Sequence, residues 1–367
     1  MNTANQELWI AGSGSTPGKL VAKSGYPNFS ATSACLIRVQ AAGCKINGYA
    51  NGTSASNGRA TLEMFRSSYT TANGYTLGEH RMTIRSNQNN TTIQGIIAKN
   101  SGGDGIYIDG GTGGVVKDVI VDGANRNGIS VIKADNLAIS NSTFKNTTHS
   151  ATTGTGNGPG AGIDFEPNLV SDSLTNIVLT NCIFSYNSGD NIMLGLGNLG
   201  GAGVGATLDI RFYGCTSDHS AKSGILLAGM REDGPTLGMV YFQDTSISYA
   251  ASAGIKVRQW VADQTRITFN DFTMTHCADS SSIAPIYLED SSGVADRIGE
   301  VQFQGECYVD DYNSAHANIL RGTSWNATVF KDITGAILYR RNYTASTPVM
   351  YYAGGTQSNV TLTATPY

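Results

Sequence analysis

The sequence predicts an all-β protein, a single-stranded right-handed parallel β-helix of about nine coils with capped ends. Three observations lead there. The 367 residues include 45 Gly and only 8 Pro, and charged residues make up 14%, a Gly- and Asn-punctuated composition that favours strands and turns over helices. A short phrase recurs: DGIYI, NGISV, AGIDF, DNIML, SGILL and AGIKV, aligned on Ile106, Ile129, Ile163, Ile192, Ile225 and Ile255 at intervals of 23, 34, 29, 33 and 30 residues. A second strand runs ahead of the first, with pairs such as Val119 and Val121, Cys182 and Phe184, and Cys215 and Ser217 ten and eight residues before their isoleucine. Two short alternating strands per repeat cannot bury their apolar faces alone, whereas stacked coils can.

The coils are expected over 81–337. Residues 1–80 match the repeat poorly and are assigned to an N-terminal cap with irregular first coils. The β-prone tail, 338–367, is assigned to a C-terminal cap or oligomerisation segment, because open coil edges need covering. Period-2 alternation in TNIVLTNCIFSYNSGDNIML places Ile177, Leu179, Cys182, Phe184, Ile192 and Leu194 inside. Asn and Ser in KNSGG, ANRNG, YNSGD and HSAKSG fit tight turns. The six cysteines show no CxxC pairing and no His at ligand spacing, so no zinc site is expected. Cys35 and Cys44 lie close enough in sequence to bridge a local loop.

The formal net charge of −4 argues against a general nucleic-acid binder, whose phosphate contacts need a basic surplus. No apolar run is long enough to span a membrane. The start, MNTANQELWIAG, has neither the basic region nor the apolar core of a secretory signal. An extracellular or virion-surface location is nevertheless expected, from the kind of partner the outer face suggests. The chain is expected to be a monomer or a homotrimer.

If each isoleucine points inward, the residues one and three positions later point outward. That column reads Tyr107 and Asp109; Ser130 and Ile132; Asp164 and Glu166; Met193 and Gly195; Leu226 and Ala228; Lys256 and Arg258; Tyr287 and Glu289. Insertions at about 145–160, 196–205 and 229–235 border it, as loops walling a groove for a linear chain do. Asp164 and Glu166 lie two residues apart, so their carboxyl groups are expected about 5 to 9 Å from each other, the range of glycosidase acid pairs. Asp190 is a third candidate acid. Arg126, Lys133, His149, Arg231, Lys256 and Arg258 offer charges to a substrate, and Trp260 a ring for stacking.

The series GEHRMTIRSNQNNTTIQGIIAKNSGGDGIYI, NRNGISVIKADNLAISNSTFKNT and GAGIDFEPN resembles the right-handed β-helix proteins of the pectate-lyase-like superfamily. The branch it looks most like contains mannuronan C5-epimerases and alginate lyases, and the likeness covers roughly residues 78–260. In that branch the matching strand carries a Tyr, Gly, apolar, Asp, Pro, His run whose Tyr, Asp and His serve the chemistry. Here the Tyr position is Ala161, the Asp is Asp164 and the His position is Glu166. The resemblance therefore implies the fold and the location of a site more directly than the reaction.

Three functions follow as expectations. The first is hydrolysis of an acidic polysaccharide by Asp164 and Glu166 without a cofactor. The second is uronate elimination or C5 epimerisation, with the acids binding Ca²⁺ or helping to neutralise the substrate carboxylate, and Tyr107, Lys133, Arg126 or His149 taking the proton. The third is a non-catalytic glycan-binding module of a phage tailspike or adhesin, since fold does not fix function.

Overall fold

The computed structural model describes residues 1, 3–10, 16–22, 35–50, 58–66, 81–148, 159–279, 282–290, 297–323, 329–343, 349–353 and 355–367. Among them are 32 strands and one short 3₁₀ turn, Gly197–Leu199. The chain divides into two compact units, Met1–Asp164 with Ile177–Gly189, and Phe165–Asn176 with Asp190–Tyr367. Strand pairing within each unit is parallel from coil to coil, the arrangement of a parallel β-helix.

In the first unit the inward residues follow three columns. Ile37, Ile84, Ile106 and Ile129 are partners across successive strands. So are Ile46, Ile93, Val116, Ile139 and Leu179, and Leu62, Ala98, Val121, Phe144 and Phe184. The two phenylalanine rings stack at 5.6 Å. The third column is a correction to the two-strand repeat expected from sequence. Its coils include strands of only three residues, such as Val115–Lys117, too short to show a period.

In the second unit Ile192, Ile225, Ile255, Ile286, Leu320 and Met350 are successive partners. Phe212, Phe242, Phe269 and Phe303 form a second inward column, with ring centroids 4.5, 5.0 and 5.7 Å apart and planes within 16°. All six isoleucines of the repeated phrase are buried without solvent exposure, as the register requires. Five of the six follow a glycine, and that glycine has a packing cause. A Cβ on Gly105 would lie 2.2 Å from Val121 Cγ1, and one on Gly224 would lie 2.8 Å from the Gly254 carbonyl. At these two positions the neighbouring coil approaches too closely for a Cβ.

Strands from both flanking segments pair with the repeats. Cys35–Val39 lies beside Met82–Ser86, and Met350–Ala353 beside Leu320–Thr323. The bends use left-handed residues, among them Asn100, Asn141, Asn146 and Asn181 with φ between 50° and 56°, which Asn tolerates because its short amide bonds locally. Cys182 and Cys215 are buried core residues, and all six cysteines are free thiols, so Cys35 and Cys44 do not bridge.

Candidate functional site

In the first unit most outward positions are covered rather than open. Tyr107, Ser130, Ile132 and Asp164 are all buried, Asp164 with 0% of its surface exposed. This corrects the expectation of a solvated acid at 164, and the cause is a ladder of polar bonds between coils. The Asn127 backbone N–H donates to Asp104 Oδ1 at 3.0 Å. Asn127 in turn accepts the Ala161 N–H on its Oδ1 at 2.9 Å and donates its Nδ2 to Ser130 Oγ at 3.0 Å and Asp164 Oδ2 at 3.1 Å. A buried carboxylate needs such donors.

Two arginines near these positions are paired with acids. Arg126 Nη1 reaches Asp104 Oδ2 at 3.0 Å and Ser130 Oγ at 3.3 Å. Arg85 donates to Asp109 Oδ2 at 2.7 Å and lies over the Tyr107 ring at 5.5 Å. Lys133 is half-buried and aligned with Asp109. His149 lies outside the described residues.

Glu166 belongs to the second unit and is half-buried. Its neighbour Pro167 accepts a 2.8 Å bond from Asn198 Nδ2, which puts Glu166 beside a cleft of about 820 Å³ lined by Asn198, Gly229 to Asp233 and Gln259. Arg231 is exposed on that cleft, 3.9 Å from Asp233. Asp190 is buried and accepts the Ser223 N–H at 2.8 Å, the same coil-to-coil bond that Asp104 makes. Burial pushes its carboxyl above the usual range, against the Ser223 hydrogen bonds and the nearby charges of Lys222 and Lys256, which lower it. Its place is five residues ahead of Gly195, whose Cβ position lies 3.9 Å from the Phe165 carbonyl. Asp190 thus lies ahead of the start of strand Ile192–Gly195, whereas Glu166 follows Phe165 at the strand's far end.

Lys256 and Arg258 project from the strand Ile255–Arg258 on an ordered outer face. In register with Lys256 are Leu226 and Met193 on one side, and Tyr287, Arg321 and Tyr351 on the other. In register with Arg258 are Ala228, Glu289 and Thr323. Lys256 Nζ lies 2.8 Å from Glu289 Oε2 and 5.4 Å from the Tyr287 ring centre, and the Tyr287 hydroxyl bonds Thr323 Oγ1 at 2.8 Å. Among the described residues neither Arg258 nor Arg321 has an acid within ion-pair distance, and the Nε of each is buried without a hydrogen-bond partner. Arg321 and Tyr351 were not foreseen. Their coils carry Leu320 and Met350 where the repeated phrase has isoleucine, and only the spacing from Ile286 would have found them.

Trp260 corrects the expectation of a stacking platform. It is 0% exposed, and its indole N–H donates to the Thr265 carbonyl at 2.9 Å, so it packs the interior. One group of acids has oxygens within 4.8 Å of one another, Asp263, Glu300 and Asp332. Arg297 reaches Asp263 at 2.7 Å, Arg266 reaches Glu300 at 3.3 Å, and Lys331 contacts Asp263 and Asp332. The Lys331 bond holds the Asp263 carboxyl low, while burial pushes Glu300 up. With those cations in place the cluster is an ion-pair network.

No family model matches the sequence, and comparison with characterised proteins finds no relative. Solved structures do match. The mannuronan C-5 epimerase A-module of Azotobacter vinelandii aligns with a TM-score of 0.52 at 11% identity, covering 96% of this chain and 91% of that one. A polygalacturonase from Erwinia carotovora ssp. carotovora aligns at 0.51 and 11% identity, covering 97% and 89%. These likenesses show the fold: the chain is a right-handed parallel β-helix.

Proposed function

We propose that the protein processes a carboxylate-bearing polysaccharide laid along the outer face of the second unit. The observation that carries this reading is the row Lys256, Tyr287, Arg321 and Tyr351 with Arg258 beside it, where Arg258 and Arg321 have no acid of their own among the described residues. Arginine matches carboxylates bidentately, and tyrosine faces suit sugar rings. Two of the matching structures are a mannuronan epimerase and a polygalacturonase, names consistent with a uronate polymer. A ligand of that kind places the protein outside a cell or on a virion.

The chemistry that suits this row is removal of the proton next to the sugar carboxylate. Cations at the carboxylate stabilise the charge that develops when the C5 proton leaves, and the Tyr287 hydroxyl, on the strand between those of Arg258 and Arg321, is the group assigned to move that proton from a uronate held at either arginine. In elimination the base takes the C5 proton, a C4–C5 double bond forms, the C4–O bond breaks and the departing oxygen takes up a proton. In epimerisation the proton returns to the opposite face. Hydrolysis is the second reading, favoured by Glu166 beside the cleft that Asn198 lines.

A panel of anionic and neutral polysaccharides, followed by ultraviolet absorbance of the new double bond, reducing ends and NMR of C5 configuration, separates these. Absorbance with new reducing ends, or inverted C5 centres, is expected from a uronate polymer. Tyr287→Phe should lower that turnover about 10²-fold or more while retaining binding. Reducing ends without absorbance would transfer the chemistry to Glu166. Absence of binding to every anionic polymer overturns the proposal.

A further inference from the structure

The outer face of the second unit has a rhythm along the stacking direction, and we infer that it selects a glycan bearing an anion on every second sugar. This rests on the reading of that face as a binding surface for an anionic polysaccharide, and goes on to name the repeat.

From coil to coil the face reads apolar at Met193 and Leu226, cationic at Lys256 and Arg258, aromatic and acidic at Tyr287 and Glu289, cationic at Arg321, and aromatic at Tyr351. Glu289 takes the charge of Lys256 in an ion pair at 2.8 Å. The cations left for a ligand are Arg258 and Arg321, which lie two strands apart, roughly 9.6 Å along the stack. An extended pyranose chain advances by about one strand spacing per sugar. Carboxylates meeting both arginines therefore sit on alternate sugars.

The strand between them selects in the same sense. A sugar over Ile286–Glu289 meets the Tyr287 ring and the Glu289 carboxylate. A neutral sugar stacks there, while a charged one must either draw Lys256 away from Glu289 or sit beside the pair without a cation of its own, which is costly at short range. The exposed ring of Tyr351 beyond Arg321 repeats the neutral position. The ligand is thus an alternating chain, a uronate followed by an uncharged hexose or N-acetylhexosamine.

The test is equilibrium binding of the whole chain to three oligosaccharides of equal length: a polyuronate charged on every sugar, an alternating uronate–N-acetylhexosamine chain, and a neutral glycan. The alternating chain should bind roughly 10-fold tighter than the polyuronate, with the neutral chain weakest. In Glu289→Gln, which removes the acid and releases Lys256, that preference should shrink by several-fold in favour of the polyuronate. A polyuronate that binds wild type as tightly as the alternating chain overturns the spacing and leaves the anionic-glycan reading standing. A neutral glycan that binds as tightly as both overturns that reading and the inference together. An unchanged preference in Glu289→Gln overturns selection by the middle strand.

Discussion

Arg258 and Arg321 stand two strands apart on one parallel face, Arg258 in register with Glu289 and Arg321 with Tyr287 on the strand between them. Neither has an ion-pair partner among the described residues, whereas Lys256, on the same strand as Arg258, is held by Glu289 at 2.8 Å. Cations without a partner at half-buried positions are costly to keep, since desolvation is offset only when an anion arrives.

Arg258→Ala and Arg321→Ala should each weaken binding of an anionic glycan by about 10-fold, the scale of a charge-assisted hydrogen bond. The salt dependence of binding should flatten in the double variant. Titration calorimetry at two ionic strengths checks both. Unchanged affinity in the double variant would remove this face from the function.

Asn127 ties Ala161, Ser130 and Asp164 to its own coil. Asn127→Ala should cost roughly 2 to 4 kcal/mol, because it leaves a buried carboxylate short of a donor. Asp164→Asn keeps an oxygen acceptor for Asn127 and should cost less. Urea unfolding compares them. If Asp164→Asn unfolds normally yet loses turnover about 10²-fold, Asp164 has the catalytic part that its sequence position suggested.

Burial raises the Asp190 carboxyl above its ordinary value of 3.8. A group raised in the folded state binds a proton more readily there than when unfolded. Its contribution to stability is therefore fully present below the ordinary value and is lost as pH rises through the folded one. Asp190→Asn retains an acceptor for the Ser223 N–H without the buried charge. It should melt higher than wild type at neutral pH and alike in acid, and a variant less stable at neutral pH would refute this account.

Phe242 sits in the middle of its column, 4.5 Å from Phe212 and 5.0 Å from Phe269. Phe242→Ala should destabilise by about 3 to 5 kcal/mol through lost burial and the cavity left behind. A calorimetric melt reads the loss directly. A change under about 1 kcal/mol would mean the column closes over the gap.

The inward register was legible because an isoleucine marks six coils, five of them with a glycine just before it, and the close approach at Gly105 and Gly224 explains why that glycine recurs. The three-residue strands were not, since alternation needs more length to register. At the site, Lys256 and Arg258 were found from their offset to Ile255. The burial of Asp164 was hidden, because it depends on Asn127, 37 residues earlier, and no local pattern reports such a bond. Trp260 misled for a related reason: its partner is a backbone carbonyl, Thr265, which carries no signal in composition.

The pairing of Ile225 with Ile255 and Leu227 with Val257 also sets where this chain tolerates changes in length. One residue inserted between Ile225 and Leu226 would send every later inward side chain of that strand to the opposite face and bring Leu226 toward the core. The same residue added beside Val204, which is 91% exposed between two left-handed glycines, disturbs no pairing. Growth and loss of sequence are thus channelled into the bends, and the spacing of the cations on the strands is shielded from them.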